Sequence, residues 1–289
     1  MDGMRNTQYQ HIQTQRIAGA MGAEISGVDL SQDLPDAVID EIRAALLDNL
    51  VVFFRDQSLT PHQQLAFARR WGEIHLHPFM VGMPDCPEVL EIRKTPSDKR
   101  NFGGNWHTDQ MFSPAPAMGT MLYAVQVPSV GGDTLFSNQY LAYDALSDGM
   151  KKMLSGLRGV CVGDKKKGGI PRVAYNAATI AMKTVEPPKD VQTTSLHPLV
   201  RTHPETGRKS LYIGNHVHWL EGMTEEESAP IIKFLRDHSA RPEFTCRFRW
   251  QNGSLAFWDN RCTQHNAIND YPAETRVMHR VTVRGDAPF

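Results

Sequence analysis

Asn105-Trp106-His107-Thr108-Asp109 sets an imidazole and a carboxylate two positions apart, in a stretch that reads as strand and tight loop. On extended backbone, residues i and i+2 project from one face. His107 and Asp109 can therefore reach a single ion without a bend. The pair alone says little, because such residue types fall together often. It gains force from His265, near the start of a second strand-rich run, Ser254 to Arg284. Two imidazoles and a carboxylate on one side of an ion leave the opposite positions open, which suits non-haem Fe(II) and oxygen chemistry. A zinc hydrolase can use the same three ligands, so the residues themselves leave both chemistries open.

The chain around this stretch is ordinary. Its 289 residues, 40% hydrophobic and 22% charged, have the composition of a soluble globular protein. A net charge of −1 gives no global field for nucleic acid or an anionic membrane, and no apolar run reaches spanning length. The expected partner is a small molecule. Cys86, Cys161, Cys246 and Cys262 form no Cys-x-x-Cys pair, so neither a disulfide framework nor a zinc ribbon follows. The polar N-terminus lacks a signal core, and the expected location is the reducing cytoplasm, where ferrous iron persists.

Periodicity predicts many short strands and few helices. Residues 1–10 read as a flexible tail, and 11–289 as one domain. Leu34 to Asn49 has amphipathic helical spacing, and Leu50-Val51-Val52-Phe53-Phe54 is a buried strand. Thr60-Pro61-His62-Gln63 opens a second helix as a capping box with Pro at the first position. Met118 to Val127 is a strand, and Tyr143 to Leu157 a helix. Residues 161–192, with Lys165-Lys166-Lys167-Gly168-Gly169 and Pro187-Pro188, lose periodicity and read as a lid. Thr224 to Glu227 is another capping box. Asn252-Gly253 predicts a hairpin joining Glu243–Trp250 to Ser254–Trp258. The fold class is mainly β with flanking helices, a jelly-roll-like double sheet.

Read as a strand, Arg276 to Arg284 puts Val277, His279, Val281 and Val283 on one face and Arg276, Met278, Arg280, Thr282 and Arg284 on the other. Arginines on one face must meet solvent or anions. Arg276 and Arg280 would stand roughly 13 Å apart along the strand, enough for two different anions. The planar guanidinium suits carboxylates.

The set His107-x-Asp109, Gly131-Gly132-Asp133-Thr134, Trp258-Asp259-Asn260-Arg261 with His265, then Arg276 and Met278-His279-Arg280, resembles the taurine dioxygenase family of Fe(II)- and 2-oxoglutarate-dependent oxygenases. That family includes alkylsulfatases and phenoxyalkanoate dioxygenases. The resemblance runs from about Ala18 to the C-terminus. It implies a double-stranded β-helix, with His107, Asp109 and His265 as iron ligands. It also implies that Thr134 and Arg276 hold the distal carboxylate of 2-oxoglutarate, and that Arg280 and His77 receive an anionic substrate head. Fe(II), 2-oxoglutarate and O2 would hydroxylate an aliphatic C–H of a small organic anion, releasing succinate and CO2. Homo-oligomers, dimers or tetramers, are implied as well. Met80 and Gly103 stand where the taurine enzymes carry Tyr and Asn. That departure points away from taurine, toward a larger and more apolar alkyl sulfate, sulfonate or aryloxyalkanoate. A non-catalytic binding barrel is a further alternative to the oxygenase.

Overall fold

The computed structural model describes residues 9–98, 100–272 and 274–289. The expected tail therefore lies outside the described residues as far as residue 8. Gln10 is already anchored, its backbone N–H donating to Glu41 at 2.8 Å.

Fifteen strands alternate with six helices among the described residues. The first strands are β1 (Gln13–Arg16), β2 (Ala23–Ser26), β3 (Val51–Phe54), β4 (Leu90–Lys94) and β5 (Ala117–Gln126). Then come β6 (Thr134–Asn138), β7 (Arg158–Val162), β8 (Thr194–Pro198), β9 (Val200–Thr202) and β10 (Lys209–Leu211). The last are β11 (Val217–Leu220), β12 (Thr245–Phe248), β13 (Leu255–Asp259), β14 (Thr263–Ala267) and β15 (Arg276–Arg284). The helices are α1 (Asp36–Asn49), α2 (Pro61–Arg69), α3 (Gln139–Asp144), α4 (Asp148–Leu154), α5 (Arg172–Ala177) and α6 (Glu225–Ser239).

A seven-stranded sheet, in the order β1-β2-β3-β13-β5-β15-β4, faces a three-stranded sheet, β12-β6-β14. Between them lies a core of Phe53, Leu122, Ala256, Trp258 and Met278 from the large sheet and Phe136, Cys246 and Phe248 from the small one. Phe53 stacks on Phe248 at 3.9 Å across the gap, a contact worth about 0.5–1.5 kcal/mol beyond its buried area. The other face of the large sheet carries Val52, Phe54, Phe257, Val281 and Val283 against Ile42 and Leu46 of α1 and Leu65 and Ala68 of α2. A further sheet, β11-β7-β8, packs with α6 in its own cluster. This is the expected mainly β jelly roll with helices outside.

The caps behave as their residue types dictate. Thr60 accepts from Gln63 N while Gln63 returns the bond, and Thr224 and Glu227 do the same on α6. Leu50 closes α1 in a left-handed conformation, φ 65°, and turns the chain straight into β3.

Three expectations need correction. Asn252-Gly253 does not close a hairpin: β12 pairs with β6 in the small sheet, whereas β13 pairs with β3 and β5 in the large one. The turn reverses the chain but hands it across the core. The helix expected over 143–157 is two, because Ser147 caps a new start by accepting from Met150 N. The lid is also not loose throughout. Residues up to Val162 belong to β7, and Ile180 and Met182 are buried against Met80 and Leu90.

Candidate active site

His107 and His265 meet through their backbones. Each N–H donates to the other's carbonyl, at 3.1 and 2.9 Å, so His107 lies beside β14 in an isolated bridge. The imidazole centroids are 4.1 Å apart. Beyond that bridge the chain turns, which swings Asp109 under both rings. Its Oδ1 lies 3.7 Å from His107 Nε2 and 3.9 Å from His265 Nε2. The three residues form a group whose ligand atoms lie within 4.8 Å of one another.

Neighbouring groups fix each donor. His107 Nδ1 is 2.6 Å from the Asn105 carbonyl. A carbonyl only accepts, so Nδ1 carries the proton and the Nε2 lone pair faces the centre. His265 is held by Trp258, 4.6 Å away between ring centroids. Asp109 Oδ2 accepts from Thr120 Oγ1 at 2.7 Å, and Thr120 in turn accepts from Asn260 Nδ2. Asn260 Oδ1 also accepts from the Asp109 backbone N–H and from Trp258 Nε1. Burial raises the Asp109 pKa, but the Arg280 guanidinium and the Thr120 hydrogen bond act against it, and the carboxyl lies well below its usual range. Burial keeps His107 and His265 neutral, each below the ordinary imidazole value. An ionised carboxylate and two neutral imidazoles are the protonation states that a divalent cation requires.

Gly103 also serves this centre. Its φ is +78°, and an added Cβ would stand 3.3 Å from His107 Cε1. We expect Gly103→Ala to cost about 1–2 kcal/mol for the left-handed backbone alone and, where these three side chains hold a divalent cation, to weaken that binding severalfold by pushing the ring. Thermal unfolding and Fe(II) titration check this; unchanged values in both would show that glycine is dispensable there.

Of the three arginines of β15, Arg276 and Arg280 face inward and are buried, whereas Arg284 at the strand end is exposed beside Glu73. Arg276 makes no ion pair among the described residues, and its Nε and Nη2 have no hydrogen-bond partner there. Its guanidinium lies 5.7 Å from the Trp250 ring, and Trp250 Nε1 donates to Thr134 Oγ1 at 3.0 Å. A buried, unpartnered guanidinium is costly unless an anion completes it. Arg280 Nη2 lies 2.9 Å from Asp109 Oδ1.

The centre opens into a cavity of about 430 Å³. His77, Gly103 and Arg280 line it. His77 Nδ1 accepts from Phe79 N at 3.1 Å. Met80 does not line it and packs instead against Leu90, Ile180 and Met182. A narrower space shares His107, Asp109 and Arg280 with the cavity and runs to Thr134 and Arg276.

Several residues at the site were given no role by their spacing in the sequence. Asn260 and Thr120 act through tertiary contacts. Gln110, φ 53°, has a buried amide without a partner among the described residues and lines the cavity. His216 and His218 reach the wall, as does Arg172 from the lid. The Asp259 carboxylate is engaged elsewhere: it takes three bonds from Arg261, one of them from the backbone N–H, and one from His203. His203, Asp259 and Cys262 also lie together, but that carboxylate is already satisfied and burial keeps the thiol protonated.

Comparison with known proteins gives the same picture. An alkylsulfatase of Acinetobacter baylyi is 34% identical over 278 residues, 96% of this chain and 86% of that protein. An alpha-ketoglutarate-dependent sulfate ester dioxygenase of Pseudomonas putida is 34% identical over 277 residues, 94% of this chain and 89% of its own. The crystal structure of a taurine dioxygenase from Burkholderia xenovorans superposes with a TM-score of 0.80 at 37% identity, covering 96% of this chain and 91% of that one. The profile of the Taurine catabolism dioxygenase TauD, TfdA family matches residues 13–282. A match of that extent settles kinship: this chain belongs to the TauD, TfdA family and is a dioxygenase that uses Fe(II), 2-oxoglutarate and O2.

Proposed function

We propose that His107, Asp109 and His265 hold the iron, that Thr134 and Arg276 hold the distal carboxylate of 2-oxoglutarate, and that Arg280 with His77 receives an anionic head of the prime substrate. The observation that carries this reading is Arg276, a buried guanidinium without an acid at the end of the space leading from the three ligands. Simple hydrolysis gives no reason for such a group, which sets the zinc hydrolase aside. The relatives' names point to alkyl sulfates, sulfonates and phenoxyalkanoates as the substrate class. When bound, the iron supplies open positions for the keto acid and O2. Overall, one oxygen atom of O2 ends in succinate, the other in the hydroxylated product, and CO2 leaves.

The chain's own residues bind and orient. Arg276 offers two free donors to a carboxylate, with the Thr134 hydroxyl beside it. Thr120 and Asn260 fix the carboxylate of Asp109, and Asn105 fixes the tautomer of His107. Arg280 holds the head so that one carbon faces the metal, an effect of positioning. Its Asp109 contact shares the oxygen that faces both imidazoles, so that oxygen, if engaged by a ferrous ion, would leave the guanidinium to the substrate.

Succinate formation dependent on 2-oxoglutarate, with a panel of alkyl sulfates, sulfonates, aryloxyalkanoates and taurine, tests the reading. Taurine giving the best kcat/KM would refute the substrate class. Arg280→Ala should raise the KM of every active anion by tenfold or more, with a smaller fall in kcat; an unchanged KM would remove its assigned role. We further propose one domain over 11–289, with 163–192 closing over the cavity, in a cytoplasmic homo-oligomer. All four cysteines are free and buried, in keeping with a reducing compartment. Light scattering distinguishes dimer or tetramer from monomer.

A further inference from the structure

The cavity wall is not the apolar surface that Met80 and Gly103 suggested. Arg100, Lys166, Lys167 and Arg172 stand on it in addition to Arg280, and Asp109 is its only carboxylate among the described residues. Lys165, on the same wall, is paired with Glu225 at 3.2 Å. Arg100, Lys167 and Arg172 make no ion pair among the described residues, and they crowd one another. Burial and the neighbouring Arg100 push the Arg172 pKa down to about 10, with the Asp164 carboxylate opposing them only in part. The same two causes, with Arg172, lower Lys167.

These cations are held in place. The Arg172 guanidinium lies 4.3 Å from the Phe79 ring centroid and 5.7 Å from that of Phe112, and it donates to the Gly163 carbonyl. Arg100 donates to Thr179 Oγ1 at 2.9 Å and to Asn176 Oδ1 at 2.5 Å, and stands over Tyr175. Attraction of a passing anion needs only solvated charge. Fixed, partly buried guanidinium forks that repel one another fit a ligand that binds between them.

We propose that the prime substrate is an organic dianion, with one acidic group at Arg280 and His77 and a second, farther along the molecule, held by Arg172 with Arg100 and Lys167. This rests on the dioxygenase reading above and narrows its substrate class. The probes are heptyl sulfate, 6-carboxyhexyl sulfate and hexyl phosphate, the last placing both charges on one head. Binding is read by anaerobic calorimetry on the enzyme loaded with Fe(II) and 2-oxoglutarate, and turnover by succinate release in air. The expected result is at least tenfold tighter binding and tenfold higher kcat/KM for 6-carboxyhexyl sulfate than for heptyl sulfate. Arg172→Gln should bring that ratio within twofold, Arg172→Lys should keep part of it, and Lys167→Met should reduce it in a chain whose melting curve is unchanged. Equal handling of the two sulfates overturns the proposal, even with a steep salt dependence, because the cluster would then only steer. A preference for hexyl phosphate with no gain from the distant carboxylate overturns it too. If no probe binds or accelerates succinate release, the assignment of Arg280 fails first and the dianion with it.

Discussion

His265→Gln should leave a folded protein that neither retains iron nor makes succinate. Glutamine keeps much of the side-chain volume beside Trp258, and the backbone bonds between residues 107 and 265 do not depend on the imidazole. The melting temperature should therefore change by a few degrees at most. The metal loses one of three ligands. Loss of an outer partner alone typically costs about 10–100-fold in affinity, and loss of a ligand should exceed the top of that range. Metal content after dialysis against a weak chelator, followed by 2-oxoglutarate-dependent O2 uptake, measures both effects. A variant that keeps one iron per chain would remove His265 from the ligand set. The same measurement on Thr120→Val should give the smaller loss, since that change removes no ligand and frees only Asp109 Oδ2 and Asn260 Nδ2.

The contrast between those two residues marks what the sequence could show. His107 and Asp109 were legible as a close pair, and His265 from its place near the start of a second strand-rich run, but the extended backbone expected to align the pair is absent: a turn after the His107 bridge brings Asp109 in. The side from which Asp109 is held was not legible. Thr120 lies on β5 and Asn260 just past β13, and only the pairing of those strands brings them together. Arg276 and Arg280 followed from parity along β15, and both turned inward because the opposite face, with Val281 and Val283, covers α2. Asn252-Gly253 misled for a related reason. A turn motif encodes reversal over a few residues, whereas membership of one sheet or the other depends on long-range pairing. Met80 was misplaced because matching a position in a family motif says nothing of local rotation, and here the side chain turns into the cluster with Ile180 and Met182. The lid cations lie where periodicity fades, so their convergence on the cavity could not be read from spacing.

Arg276→Leu offers the sharpest separation of function from stability. In most buried arginines, removing the charge breaks an ion pair and destabilises the fold. Arg276 has no such pair among the described residues, and burial already disfavours its charge. Leucine should therefore leave the melting temperature of the protein without 2-oxoglutarate unchanged or a few degrees higher. Binding should move the other way. Two charge-assisted hydrogen bonds at about 1.5–3 kcal/mol each correspond to a rise of roughly 100-fold or more in the KM for 2-oxoglutarate. Stabilisation by the co-substrate gives a second reading. At 100 times its Kd a ligand adds about 2.7 kcal/mol to the native state, and the variant should show almost none of that gain at the concentration that saturates the wild type. Arg276→Lys restores the charge without the fork and should recover only part of the affinity. An Arg276→Leu enzyme with wild-type KM for 2-oxoglutarate would mean that the buried guanidinium answers to some other anion, and the assignment of the co-substrate's distal carboxylate would fall with it.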